Sequence, residues 1–194
     1  MNFIEIFTLV SGVIYIILEI RQKNLMWILG IMTSLASMWV FFRQGLYASF
    51  GLNSYYLIVS FIGLRQWRMF KKRTDRPSDD SAQEQIVVNP LRTPVVLISL
   101  LAFITGLIGL SVLMEALENP MSWLDSAVAV LSAIATWWLV KAYLQQWLLW
   151  IAADLLSVVL CLSQGMWWMS ALYILYTLSA VYGLHYWRQN GRLA

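Results

Sequence analysis

"QGLYASFGLNSYYLIVSFIGLRQW", residues 44–67, can be laid over "QGMWWMSALYILYTLSAVYGLHYW", residues 164–187, without a gap. Gln44, Gly45, Leu52, Tyr56, Gly63, Leu64 and Trp67 then fall on Gln164, Gly165, Leu172, Tyr176, Gly183, Leu184 and Trp187. Apolar stretches match one another by chance, but glycine and tryptophan identities held at one offset are not explained by shared hydrophobicity. The match predicts an internal repeat. Further upstream, "LMWILG" (25–30) is laid on "LLWIAA" (148–153), which pairs Trp27 with Trp150 after a three-residue change in length.

Both copies are membrane-like. Of 194 residues, 60% are hydrophobic and 12% charged, too little polar surface to coat a soluble globule of this size. Stretches 25–42, 44–64, 95–114 and 166–184 carry no charge, and each approaches or exceeds the ~18–20 residues that cross a bilayer as a helix. Three more, 3–20, 122–140 and 147–163, qualify with one or two acidic residues each. The expectation is an all-α integral membrane protein of seven transmembrane helices. The first stretch lacks a basic n-region and a small-residue cleavage site, and so reads as helix one rather than a signal peptide. Cys161 is the sole cysteine, which excludes an internal disulfide, a Cys-rich metal site or a redox pair. No metal or other cofactor is expected.

Seven spans place the loops after helices one, three and five on the same side as the C-terminus. All thirteen Lys and Arg except Arg43 fall on that side. The positive-inside rule then predicts a cytoplasmic C-terminus and an external N-terminus in a bacterial inner membrane. The basic residues need no nucleic acid to explain them.

"KKRTDRPSDDSAQEQ", residues 71–85, is the one long polar segment and reads as part of a cytoplasmic linker. The expected organisation is a three-helix set over 1–70, the linker over 71–93, a connecting helix four over 94–120, and a second three-helix set over 121–194. A three-helix set ends on the opposite side of the membrane from its start, so a direct fusion would leave the copies antiparallel. Helix four removes that inversion. The result is a 3+1+3 parallel repeat about an axis along the membrane normal, an arrangement associated with transporters.

Candidate functional residues concentrate in "QQWLLWIAADLLSVVL", residues 145–160. Asp154 falls ~14 Å into helix six, near the bilayer midplane. An ionised carboxylate there costs at least ~2.5–3.5 kcal/mol, so it needs a polar cavity or a cation. No Lys or Arg lies at comparable depth, so the counter-charge would come from a ligand. Trp147, Trp150 and Asp154 are spaced i, i+3, i+7 and share one helix face. Indoles bind cations and stack on flat heterocycles, so the face suits a flat, positively charged ligand. Trp147 fits the interfacial aromatic belt equally well, and Asp154 could instead hydrogen-bond a neighbouring helix. Helix three adds Asn53, Tyr56 and Ser60 at the same spacing, and helix seven adds Tyr173 and Tyr176 at matching offsets. Trp27 joins the set through its repeat pairing. Each of these alone is more often helix–helix glue than a ligand contact. Glu5, Glu19 and Asp125 sit near helix ends, and His185 reads as interfacial.

Taken together, "WLLWIAAD", "LYASFGLNSYY", "IGLRQW" and the helix layout resemble the Pnu bacterial vitamin transporters over nearly the whole chain. The resemblance implies a fold related to the SWEET sugar transporters and a substrate site between the two repeats. It also implies facilitated diffusion, driven by a cytoplasmic kinase that phosphorylates the vitamin. Trp147, Trp150 and Asp154 match that family's Trp-x-x-Trp-x-x-x-Asn/Asp signature. Asp154 stands where nicotinamide riboside members tend to carry asparagine, and Asn53 where they carry glutamine. These departures favour thiamine, whose thiazolium is permanently charged, with nicotinamide riboside, also cationic, as the alternative. Self-association is left open.

Other classes fare worse. A retinal protein needs a lysine within helix seven, and 166–184 has none. An intramembrane enzyme needs a nucleophile–base pair or a ligand cluster, which one peripheral histidine and one buried acid do not supply. A non-transporting helical scaffold is opposed only by the midplane charge and its aromatic face.

Overall fold

Among the described residues the chain forms seven helices: α1 (Phe3–Ile20), α2 (Leu25–Arg43), α3 (Tyr47–Thr74), α4 (Thr93–Ala116), α5 (Trp123–Val140), α6 (Gln146–Ser163) and α7 (Trp167–Asn190). Two short strands, β1 (Ile86–Val88) and β2 (Gly191–Leu193), pair with each other. The computed structural model describes residues 3–43, 47–74, 86–116 and 123–193. Within these, it omits the side chains of 3–11, 40–41, 47–49, 71–74, 114, 116 and 193. Gln44, Gly45, the Glu5 side chain and linker residues 75–85 therefore lie outside the described residues.

Helix positions follow the apolar stretches closely, with two informative overruns. α3 and α7 run well past the apolar segments that mark them, to Thr74 and Asn190. Hydropathy reads the thickness of the hydrocarbon, whereas a helix continues for as long as its residues tolerate helical dihedrals. The Arg- and Lys-rich end of α3 contains no Gly or Pro, so nothing stops it at the membrane edge. By length and apolar composition alone, three helical segments among the described residues suffice to cross a bilayer: Thr93–Leu113, Trp123–Val140 and Gln146–Ser163. α7 falls short on that measure because of its many tyrosines and tryptophans, which suit membrane interfaces but lower a hydropathy sum.

The chain divides into two compact units, Met1–Val87 with Asn190–Arg192, and Val88–Gln189. In the first, α2 packs along α3. Gly30 permits this approach, since a Cβ there would lie 2.8 Å from Ser60 Oγ. The Trp27 indole lies flush on Gly63, where a Cβ would come within 2.6 Å, and meets Trp67 edge-on at 5.2 Å and 83°. Gln22, at φ 48°, turns the chain between α1 and α2. Its side-chain amide receives Val87 N–H at 2.9 Å and donates to Val87 C=O at 2.7 Å, and so pairs with β1 as a strand would.

In the second unit α5 lies against both α4 and α6. α4, expected as a separate connector, is tied to α5 by Trp138 Nε1 donating to Ser99 Oγ at 2.9 Å and by Ser111 Oγ donating to Ser126 Oγ at 3.4 Å. Ala142, at φ 53°, turns the chain between α5 and α6. Asn89 docks on this turn, its N–H donating to Ala142 C=O at 2.9 Å and its Nδ2 to Lys141 C=O at 2.7 Å. The Trp147 indole lies flush on Gly183, again within 2.6 Å of a notional Cβ, and meets Trp187 edge-on at 5.5 Å and 89°.

These clasps correct the upstream pairing. Trp27, Gly63 and Trp67 correspond to Trp147, Gly183 and Trp187 at the offset of the helix-three and helix-seven match. Gln22 and Ala142, the two left-handed turn residues, fall on one another at the same offset. No change in length intervenes, so the partner of Trp27 is Trp147, and Trp150 corresponds to Gly30. A bare "LxWI" match misled because it weighed the tryptophan and not the glycine against which the tryptophan packs.

Candidate functional site

α6 builds the site from one face. Its buried residues are Gln146, Trp147, Ala153, Asp154, Ser157 and Cys161, with Trp150 half-buried among them. Steps of three and four residues return a side chain to the same side of a helix. Gln146, Trp150, Asp154 and Ser157 thus form a polar and aromatic stripe, and Trp147 lies at its edge.

Asp154 is 8% exposed, and among the described residues no cation pairs with it. Tyr173 and Tyr176 of α7 are within electrostatic reach of it, and the Ser157 side chain is in hydrogen-bonding reach of the Tyr173 hydroxyl. The two tyrosine rings meet edge-on at 6.0 Å and 89°. Ser157 Oγ donates back to Ala153 C=O at 2.8 Å, which occupies its proton and leaves its oxygen to accept. The second unit therefore brings Tyr173 and Tyr176 near Asp154, with Trp150 one turn before it on α6, and among the described residues no cation pairs with that carboxylate. Among the described residues no His, Cys, Asp and Glu cluster could hold a metal ion.

Trp147 occupies a different place from the one its spacing suggested. Its ring is 2% exposed and packed on α7, so in this structure it is a clasp between helices. Trp27, 0% exposed, plays the same part in the first unit. Tyr56 contacts Tyr55 at 5.5 Å and lies within electrostatic reach of Tyr15, which in turn is near Glu19. Asn53 is half-buried on the same helix, one turn before Tyr56.

The structure adds Gln146, which spacing arguments passed over. Its side chain is 0% exposed, yet neither Nε2 nor Oε1 has a hydrogen-bond partner. Trp150 Nε1, one turn away, is likewise buried and unpartnered. A buried polar group without a partner costs ~1–3 kcal/mol, so it calls for a reason. A signal was present: at the corrected offset Gln146 falls on Met26, a side chain of similar shape and no hydrogen-bonding demand.

What separates the two units is the residue at one position. Where Gly30 lets α2 and α3 close on Ser60, the second unit has Trp150 and Ala180 at the corresponding sequence positions. The backbones of α6 and α7 approach each other less along their length than those of α2 and α3. An indole thus stands in the second unit where the first has only a hydrogen.

Comparison with known proteins bears on what the site serves. Residues 2–189 match the model of the family described as "Nicotinamide mononucleotide transporter". Two curated relatives, the nicotinamide riboside transporters PnuC of Escherichia coli (strain K12) and Shigella flexneri, are each 27% identical over 99% of this chain and 87% of their own. Among solved structures, the crystal structure of the vitamin B3 transporter PnuC aligns with a TM-score of 0.67 and 21% identity, covering 93% of this chain and 78% of that one.

Proposed function

Because the chain belongs to the nicotinamide mononucleotide transporter family, that of the Pnu-type vitamin transporters, we propose that its substrate is nicotinamide riboside. Membership makes it a multi-pass membrane transporter of a small vitamin-type molecule and not an enzyme. The observation that carries the choice of riboside is that both curated relatives are named for it. Asp154, buried in α6 with an indole one turn away and, among the described residues, no cation paired with it, fits any cationic vitamin. A pyridinium stacked on Trp150 supplies the missing charge, and Tyr173 and Tyr176 offer hydroxyls to a ribose. Asn53 and Tyr56, one turn apart on α3, are proposed as substrate contacts on their spacing alone.

Thiamine, which the aspartate alone favoured, gives way to nicotinamide riboside. Both curated relatives are named for the riboside, and its pyridinium satisfies Asp154 as a thiazolium does. In this reading the two three-helix sets are copies related by an axis along the membrane normal, as in the SWEET transporters. The chain lies in the bacterial inner membrane with its C-terminus cytoplasmic. Transport is facilitated diffusion, since Asp154 is the one mid-membrane acid of the sequence without a second carboxylate or histidine near enough for a relay. Phosphorylation by a cytoplasmic kinase then traps the vitamin.

Calorimetric titration of the purified protein with nicotinamide riboside, thiamine, riboflavin and a deoxynucleoside tests the substrate. Nicotinamide riboside should bind most tightly, and a tighter thiamine would reverse the assignment. In proteoliposomes, uptake should level off at the external concentration. Accumulation above it that an ionophore abolishes would refute diffusion.

A further inference from the structure

Gln146 is fully buried with both amide atoms unpartnered, on the α6 face that also carries Trp150 and Asp154. Packing does not require an amide there. The corresponding slot of the first unit holds Met26, equally buried, beside a clasp of the same geometry. Methionine and glutamine fill nearly the same volume, so the second unit carries donors and an acceptor where the first shows that none are needed.

We infer that Gln146 is a further substrate-binding residue, and that its carboxamide reads the carboxamide of the nicotinamide ring. The inference rests on the nicotinamide riboside reading and deepens it. Two carboxamides are self-complementary, since each offers an N–H and a C=O in one plane and a facing pair forms two hydrogen bonds. The spacing suits this ligand. Gln146, Trp150 and Asp154 stand ~6 Å apart along α6 at successive turns. A nicotinamide ring over Trp150 would direct its carboxamide toward Gln146 and its ribosylated, charged nitrogen toward Asp154. The amide is fully buried in this structure, so the inference requires the first turn of α6 to open when the substrate binds. An amide-reading site also discriminates sharply. Nicotinic acid riboside, which carries a carboxylate in place of the amide, cannot return a donor to Gln146 Oε1, and unpaired buried groups are what let polar sites reject near-isosteres.

The test is calorimetric titration of wild type, Gln146→Met and Gln146→Leu with nicotinamide riboside and nicotinic acid riboside, alongside thermal melting without ligand. Wild type should prefer the amide by ~10-fold or more. Gln146→Met should lose ~10-fold or more in affinity for nicotinamide riboside, and with it the preference, while melting no lower than wild type. Gln146→Leu removes both donor and acceptor in a side chain of different shape, and should lose nicotinamide riboside binding even if Gln146→Met folds poorly. Unchanged affinity and preference in a folded variant would overturn the role of Gln146 and leave the substrate reading intact. If wild type bound nicotinamide riboside no better than thiamine, the substrate reading would fall and this inference with it.

Discussion

The two units share a clasp and differ in what lies one turn beyond it. In both, a tryptophan near the start of the middle helix lies on a glycine of the third helix and meets a second tryptophan edge-on, at 5.2 Å in one and 5.5 Å in the other. Three and seven residues further on, the first unit has Gly30 and Ser34 and the second has Trp150 and Asp154. Packing was kept in both copies, and the groups able to hold a charged aromatic ligand were placed in one. Within the middle helices, the repeated tryptophan serves packing, and the residues that break the repeat, Trp150 and Asp154, are the candidates for chemistry.

The largest effect should come from breaking the shared part. Trp27→Ala and Trp147→Ala each empty a fully packed indole site and should destabilise the protein by ~3–5 kcal/mol, read as loss of melting temperature in detergent. Similar losses in the two variants would confirm one clasp in two places, and a mild Trp147→Ala with abolished binding would make Trp147 a ligand contact instead. Gly63→Val and Gly183→Val come next, at ~1–3 kcal/mol or more, because a Cβ at either position would lie 2.6 Å from an indole.

Asp154→Asn sharpens the difference between the units. It keeps shape and removes charge, so it should weaken cationic nicotinamide riboside by ~2 kcal/mol, about thirty-fold, and its uncharged dihydro form far less. Ser34→Ala, at the corresponding place in the first unit, should change neither. Equal losses for both ligand forms in Asp154→Asn would make the carboxylate a structural group. Ser99→Ala removes the acceptor of Trp138 Nε1 and should cost only ~1 kcal/mol in melting, with no change in affinity.

Much of this was legible in the sequence. The seven apolar stretches located the helices because crossing a bilayer demands both length and apolarity, and Asp154 stood out because a midplane charge is costly anywhere. The overruns of α3 and α7 were not legible, since no membrane sets the length of a helix once its residues have become polar. The pairing of Trp27 with Trp150 went astray because local similarity could not reveal which glycine each indole rests on. Gln146 was passed over, because its unpartnered amide becomes visible only once α6 is packed. Likewise Gln22 offered no sign that its amide would act as a strand for Val87, a contact made across 65 residues.

The most direct test of the account is the affinity of Trp150→Ala for nicotinamide riboside, measured by calorimetry beside wild type with melting as the control for folding. Trp150 takes the place of a glycine and carries the stacking face, so its loss should cost ~1–3 kcal/mol of binding, roughly five- to 150-fold, with the ligand-free protein still folded. A folded Trp150→Ala that binds nicotinamide riboside as tightly as wild type would contradict the claim that the second unit's departure from the first is its substrate site.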